Sequence, residues 1–389
     1  MKRAHKSMVS ILMAVLATTV LFFLPLRSYA DPTPHPTARL DLLHMPPGFH
    51  IEVFAVVPGA RELCKSPNGT IFVGTKGGGN KVYAIVDSHN GQHDVLTIAS
   101  NLNVPNGVAF YGKDLYIAEI NRVSRLSDIE ANLHNPPRIE TVNDGFSPKT
   151  HHGWKYIAFG PDGWLYVPVG APCNVCMADD FQSPNGSTIP YASIMRMKPD
   201  GSNLELFARG IRNTVGFDWD PSTKDLWFTD NGRDLLGDNV PPDELNHAPV
   251  KGLHFGFPFM YGSNMPDPDY GSKVPKGLAL VPPAQNLDPH VASLGMKFYT
   301  GKMFPPQYHN QIFIAEHGSW NRSIPIGYRV TLVTLKNGKP VKYQPFIDGW
   351  LQNNHAWGRP VDVLQLADGS MLISDDTLGV IYRVTYKKP

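Results

Sequence analysis

The sequence predicts an all-β fold, a six-bladed β-propeller closed by pairing of its N- and C-terminal strands. Two observations carry this prediction. Helical periodicity is nearly absent, and short β-rich runs bounded by Gly, Pro, Asn and Asp take its place. One unit, an Asp-Gly-type turn followed by a short strand of aromatic and β-branched residues, then recurs along the chain.

The copies read SPNGTIFVGT (66–75), YGKDLYIAEI (111–120), GPDGWLYVPV (160–169), DPSTKDLWFTD (220–230), YHNQIFIAEHG (308–318) and LADGSMLISDD (366–376). Asn-Gly or Asp-Gly supplies the positive φ that a tight hairpin turn requires. A second strand often follows, as in KVYAIV (81–86), RVSRL (122–126), SIMRMK (193–198), YRVTLV (328–333) and VIYRVT (380–385). One such sheet cannot bury both faces alone, so the copies must stack, and radial stacking gives a propeller. A pair of β-sandwiches is the competing arrangement. The segment FHIEVFAVV (49–57) reads as a strand with no hairpin partner nearby. It is expected to complete the last blade beside residues 380–385. The widest spacing, between the fourth and fifth copies, predicts long inserted loops.

The N-terminus reads as an address. Lys2, Arg3 and Lys6 precede an apolar run from Met8 to Leu26, and Ser28 and Ala30 offer small residues for cleavage before Asp31. Residues 1–30 are therefore expected to be a signal peptide, with an uncleaved anchor as the alternative. Residues 31–389 are expected to be one propeller domain, periplasmic or secreted, with no stable membrane insertion of the mature chain. The formal net charge of +1, with acids and bases mixed along the chain, argues against a nucleic-acid partner. Of the three cysteines, Cys173 and Cys176 form a C-x-x-C. Zinc would need two further ligands and haem attachment a following His, where Met177 stands. A small-ring disulfide is expected in an oxidising compartment.

A propeller gathers loops from every blade at one end of its axis, so functional residues should be spread along the sequence. His151 and His152 lie just before the third copy. A histidine in such a funnel can act as a general base, because its ordinary pKa lies near neutrality. Arg212 and Asn213 precede the fourth copy, where a guanidinium beside an amide suits a planar polycarboxylate. Asp230, Asp234, Asp238, Asn239, Asp243, Glu244 and Asn246 crowd one stretch, read as a loop rich enough in oxygen for Ca²⁺. His317, Trp320, Asn321 and Arg322, and later His355, Trp357 and Arg359, add cations and flat rings fit for stacking.

Four segments together resemble the PQQ-dependent glucose/sorbosone dehydrogenases, most closely the sorbosone dehydrogenase branch. They are His152 to Gly163, Gly210 to Asn213, Asp243 to Pro258 and Gly358 to Val363. The resemblance implies pyrroloquinoline quinone (PQQ) and Ca²⁺ as cofactors, a sugar or aldehyde substrate and an external electron acceptor. His152 would be the catalytic base. Arg212, Asn213 and Arg359 would hold PQQ, and Arg322 would stand in for a lysine of the family. Backbone carbonyls at Asp238 and Asn239 would bind the Ca²⁺ that touches PQQ, and Asp243 and Glu244 a second, structural Ca²⁺. Ala171 stands where relatives carry the acid that orients the base, and Val361 where some keep a second arginine. Two rival classes are a Ca²⁺-dependent lactonase, which needs carboxylates from several blades around a channel metal, and a non-catalytic sugar- or protein-binding propeller.

Overall fold

In the computed structural model, residues 38–87 and 93–388 are described. The expected leader, residues 1–30, lies outside them. The described residues belong to one compact unit. Among the described residues, no helix is long and apolar enough to cross a membrane.

Six four-stranded antiparallel sheets follow one another as blades. The first blade comprises Ala60–Lys65, Ile71–Thr75, Val82–Asp87 and His93–Ala99. The second runs through Gly107–Tyr111, Asp114–Ala118, Val123–Leu126 and Glu140–Asn143. Ala158–Phe159, Leu165–Val169, Ser193–Met197 and Glu205–Arg209 make the third. The fourth is Phe217–Trp219, Leu226–Asp230, Pro242–Ala248 and Gln285–Pro289. The fifth is Ser293–Phe298, Ile312–Glu316, Arg329–Lys336 and Lys339–Ile347. The sixth takes Pro360–Gln365, Met371–Asp375 and Val380–Tyr386 from the C-terminus and Phe49–Val56 from the N-terminus.

Each repeated unit of the sequence supplies the second strand of a blade. The turns behave as their residues dictate: Gly69, Gly163 and Gly369 all have positive φ. The ring closes as expected, with Phe49 opposite Tyr386 and Val56 opposite Val380. Phe49 anchors the closure, its ring meeting those of Phe304, Tyr308, Phe346 and Tyr386 at 4.8 to 5.3 Å.

The cores lie between blades, where apolar faces of neighbouring sheets meet; Phe72 of the first blade stacks on Phe110 of the second. The first strand of each blade faces the axis, where no further strand can take its free N–H groups. Buried acids do so instead. Glu62 accepts from Val108 and Ile157 of the next two blades, and Asp362 accepts from Leu63 across the closure.

One sequence reading is corrected by the fold. The acidic stretch of the fourth blade is not a single loop. Pro242–Ala248 is a strand paired with Leu226–Asp230 on one side and Gln285–Pro289 on the other. The composition is polar because its side chains meet buried partners, not solvent. The long insertion lies beyond it, in residues 249–284, between the third and fourth strands.

Candidate active site

At one end of the propeller a cleft is lined by Arg61, Lys76, His152, Trp154, Arg212, Asn213, Asn231, Asp234, Asp243, His290, His317, Trp320 and Asn321, among others. The repeat explains their convergence. Lys76, Asn231 and His317 each directly follow the second strand of a blade. His152, Arg212, Asn213 and His290 come from segments entering a first strand. Both positions recur at the same end of every blade.

His152 is held tightly. Its Nδ1 lies 2.9 Å from the carbonyl oxygen of Ala171. A carbonyl can only accept, so Nδ1 carries the proton and Nε2 keeps its lone pair. Its backbone sits at φ +49°, a conformation costly for a side-chain-bearing residue. The close approach needs Gly170, where a Cβ would lie 2.5 Å from the His152 Cβ. Burial, and then the Arg212 guanidinium, push the imidazole pKa down to about 2, so the ring is neutral at any working pH. The Ala171 main chain thus sets the orientation of the imidazole.

Arg212 is buried and held on several sides. It donates to the Asn174 carbonyl oxygen at 2.8 Å, to Asn174 Oδ1 at 2.9 Å, to the Asn231 carbonyl oxygen at 3.2 Å and to Asp234 at 2.9 Å. Asp230 accepts from the main-chain N–H groups of both Arg212 and Asn213. The pair is therefore fixed before any ligand arrives.

Arg61 and Lys76 form a second cationic wall, which sequence reasoning missed. Arg61 is buried and bonds Asn106 and Asp376, each at 2.9 Å. Lys76 lies over the Trp154 ring at 3.3 Å. Burial, and then Arg61, lower its pKa to about 8. Its place directly after the first repeated strand was the available signal.

Other expected residues stand elsewhere. Arg359 is not among the lining residues; it donates to the carbonyls of His317 and Gly318 and so braces the loop that carries His317. Arg322 is likewise outside the lining, binding the Asp238 carbonyl and the Asn239 side chain. That carbonyl is therefore engaged by a guanidinium, and the expected Ca²⁺ ligand pair at Asp238 and Asn239 is not assembled. Val361 packs in an apolar core.

Asp243 and Glu244 are successive residues of one strand and point to opposite faces. Asp243 lines the cleft and accepts from Gly232 and Ser293. Glu244 faces Asp230 across the sheet, beside a small internal cavity, and accepts from Gly262 and Asn246. They cannot share one ion. Among the described residues, no three His, Cys, Asp or Glu side chains converge as a metal cage, the arrangement a channel-metal lactonase requires.

The profile of the Glucose / Sorbosone dehydrogenase family matches residues 111–377. The chain belongs to the glucose/sorbosone dehydrogenase family. That match runs from the end of the first strand of blade two through blade five and takes in two of the four strands of blade six. An uncharacterized protein of Borreliella burgdorferi is 33% identical over 361 residues, covering 89% of this chain and 91% of its own. A pyrroloquinoline quinone-dependent pyranose dehydrogenase of Coprinopsis cinerea is 31% identical over 123 residues, 26% of this chain and 16% of its own length. The holo form of the PQQ domain of the Coprinopsis cinerea pyranose dehydrogenase has the same fold. It aligns with TM-score 0.73 at 17% identity, over 88% of this chain and 97% of that one. Membership of the glucose/sorbosone dehydrogenase family places the chain among sugar dehydrogenases, and the fold agrees.

The residues of this family member can be tested against the implied cofactors. A tricarboxylate quinone requires cations, a polar edge and a base. The cleft offers Arg61, Lys76 and Arg212, the Asn213 amide and His152. For Ca²⁺, the fit is at Asp230 and Glu244. Burial raises both carboxyls, Asp230 raises Glu244 further, and the nearby Asn246 Oδ1 is buried without a partner. Two facing buried acids call for a cation or a shared proton.

Proposed function

We propose that this protein is a PQQ- and Ca²⁺-dependent dehydrogenase that oxidises a sugar hydroxyl or aldehyde. The observation that carries this reading is His152, with Nδ1 on the Ala171 carbonyl and Nε2 without a hydrogen-bond partner among the described residues, in the same cleft as Arg61, Lys76 and Arg212. When bound, PQQ supplies a two-electron acceptor for hydride.

The protein's own residues do the rest. Arg61, Lys76 and Arg212 offset the negative charge of the cofactor carboxylates. Asn213 and Asn231 line the same wall with polar edges. His152 Nε2 takes the proton of the substrate hydroxyl, or of an aldehyde hydrate, as C–H bond cleavage proceeds. Trp154 and Trp320 offer flat faces to cofactor and sugar. The pairing of Arg212 with Asp234 and Asn174 fixes its planar fork before binding, so little order is lost when a carboxylate docks. A Ca²⁺ held at Asp230 and Glu244 would neutralise that buried pair and steady the segment carrying Arg212. We read the leader as directing export, with electrons passing to an external acceptor.

The test is reconstitution. Purified apo-protein is given PQQ and Ca²⁺, and aldoses and sorbosone are screened with an electron-accepting dye. Dye reduction that needs PQQ supports the reading; no PQQ-dependent absorbance change and no turnover would discard it.

A further inference from the structure

We propose that the Cys173–Cys176 disulfide ring is a redox-sensitive clamp that positions Arg212 and His152, with Asn174 as its positioning residue. The importance of these two side chains rests on the reading above; the clamp itself rests on geometry.

Cys173 and Cys176 are joined, and Asn174 lies inside the ring they close. Asn174 accepts from Arg212 twice, at its main-chain oxygen and at Oδ1, 2.8 and 2.9 Å away. Its Oδ1 also accepts from the Asp234 main-chain N–H at 2.8 Å, and its Nδ2 donates to the Asp234 carbonyl at 3.0 Å. Asp234 in turn holds Arg212. Just before the ring, the Ala171 N–H donates to the Arg212 carbonyl at 2.8 Å, and the Ala171 carbonyl holds His152. One short stretch therefore fixes the arginine, its counter-ion and the base.

That stretch has no strand of its own. It lies between Leu165–Val169 and Phe181–Gln182, so no ladder of main-chain bonds sets its course. Apolar support is confined to a small cluster formed with Phe257 and Tyr261. Closing the ring removes alternative backbone conformations at Asn174 and Val175, and opening it restores them. Cys176 also lines a second cleft beside the exposed Met177, so a reductant can reach the bond from outside the active site. A dithiol reductant would break the S–S bond by exchange. Two electrons and two protons pass to Cys173 and Cys176, and the dithiol becomes a disulfide.

The test compares oxidised protein, dithiol-reduced protein freed of reductant under anaerobic conditions, Cys173→Ser/Cys176→Ser, Asn174→Ala and Asn174→Asp. Two quantities are read: PQQ affinity of the apo-protein by tryptophan fluorescence quenching, and amide hydrogen exchange over residues 151–153 and 210–214. Opening the ring should weaken PQQ binding roughly 10-fold, in the range seen when supporting hydrogen bonds around a site are removed. Exchange should quicken in both segments and stay unchanged in Ile71–Thr75. Asn174→Ala should share the affinity loss, and Asn174→Asp, which keeps the acceptor oxygen but loses the Nδ2 donor and brings a charge beside Asp234, should not restore it. The serine variant should no longer respond to dithiol. Unchanged exchange after ring opening, or a serine variant that still responds, overturns the proposal. If the oxidised protein binds no PQQ, the cofactor reading falls, and the exchange measurement still decides the clamp.

Discussion

The imidazole of His152 donates through Nδ1 to the main-chain oxygen of Ala171, at 2.9 Å. A carbonyl fixes the tautomer as a carboxylate would, but it carries no full charge to stabilise an imidazolium. Burial and Arg212 disfavour the imidazolium further. His152 is therefore a transient proton acceptor, neutral before and after each turnover. His152→Asn should cut dye-linked turnover by about 10²- to 10⁴-fold, the usual contribution of a positioned base. PQQ affinity should stay within about twofold, because the variant leaves Arg61, Lys76 and Arg212 in place. Stopped-flow reduction of bound PQQ checks the first outcome and fluorescence titration the second.

Lys76 sets an upper pH boundary for cofactor binding. Its pKa is lowered to about 8, so it is charged below that pH and neutral above it. A polyanion binds the charged form more tightly, so PQQ affinity of the apo-protein should fall as pH rises through about 8. Lys76→Arg should remove this fall, because a guanidinium stays charged. Lys76→Met should bind weakly at every pH. Titrations between pH 7 and 9.5 distinguish the three proteins.

The location of the site was partly legible in the sequence. The blades were readable because each turn-plus-strand unit repeats with its own Gly, Asp or Asn signal, and the closure was readable because Phe49–Val56 had no local partner. His152, Arg212 and Asn213 stood out through the family resemblance, and the fold shows that each sits at the entrance to a first strand. Lys76 and Arg61 did not stand out. Their chemistry comes from a Trp154 ring and an Asp376 carboxylate supplied by other blades. Arg359 came from a motif and Arg322 as a stand-in for a family lysine, and neither source gives a side chain's direction; both forks reach backbone carbonyls. The pairing of Glu244 with Asp230 in place of Asp243 was not legible, because acid-rich composition hides a buried strand, whose alternation sends Asp243 and Glu244 to opposite faces.

Buried histidines should make the fold acid-sensitive. Burial lowers the His254 pKa to about 4, with Arg209 adding to the effect, and burial lowers that of His317 to about 4 against the pull of Asp376. A histidine whose folded pKa lies below its ordinary value favours the folded state above the ordinary value. That favour is lost as pH falls from about 6.5 toward 4. Raised acids such as Asp362 act in the opposite direction, so the histidine term is isolated by difference. His254→Gln should lose less stability than the parent between pH 6.5 and 4.5. Urea midpoints at both pH values give the comparison.

Glu244 and Asp230 predict a stabilising Ca²⁺ response. An ion that binds only the folded state adds about 2.7 kcal/mol at a hundredfold excess over its Kd. Thermal unfolding should shift upward with added Ca²⁺ and downward with chelator. Glu244→Gln removes one charge of the facing pair, so it should abolish the Ca²⁺ shift while leaving the metal-free protein no less stable. A shift that survives in the variant would move the ion to another site.

Closure of the ring gives a direct test of the architecture. Phe49 is buried and meets four aromatic rings from the fifth and sixth blades and the segment between Phe298 and Ile312. It is also the residue that seats the N-terminal strand on Val380–Tyr386. Phe49→Ala leaves a cavity that its neighbours cannot fill without moving the closing strand, and should destabilise by about 3–5 kcal/mol. Val53, exposed on the same strand, makes the control: Val53→Thr should shift stability by less than about 0.5 kcal/mol. Because the sixth blade carries Arg359 and Asp376, which brace His317 and Arg61, loosening the closure should also weaken PQQ binding. Equal urea midpoints for the two variants would show that the N-terminal strand is dispensable to the propeller.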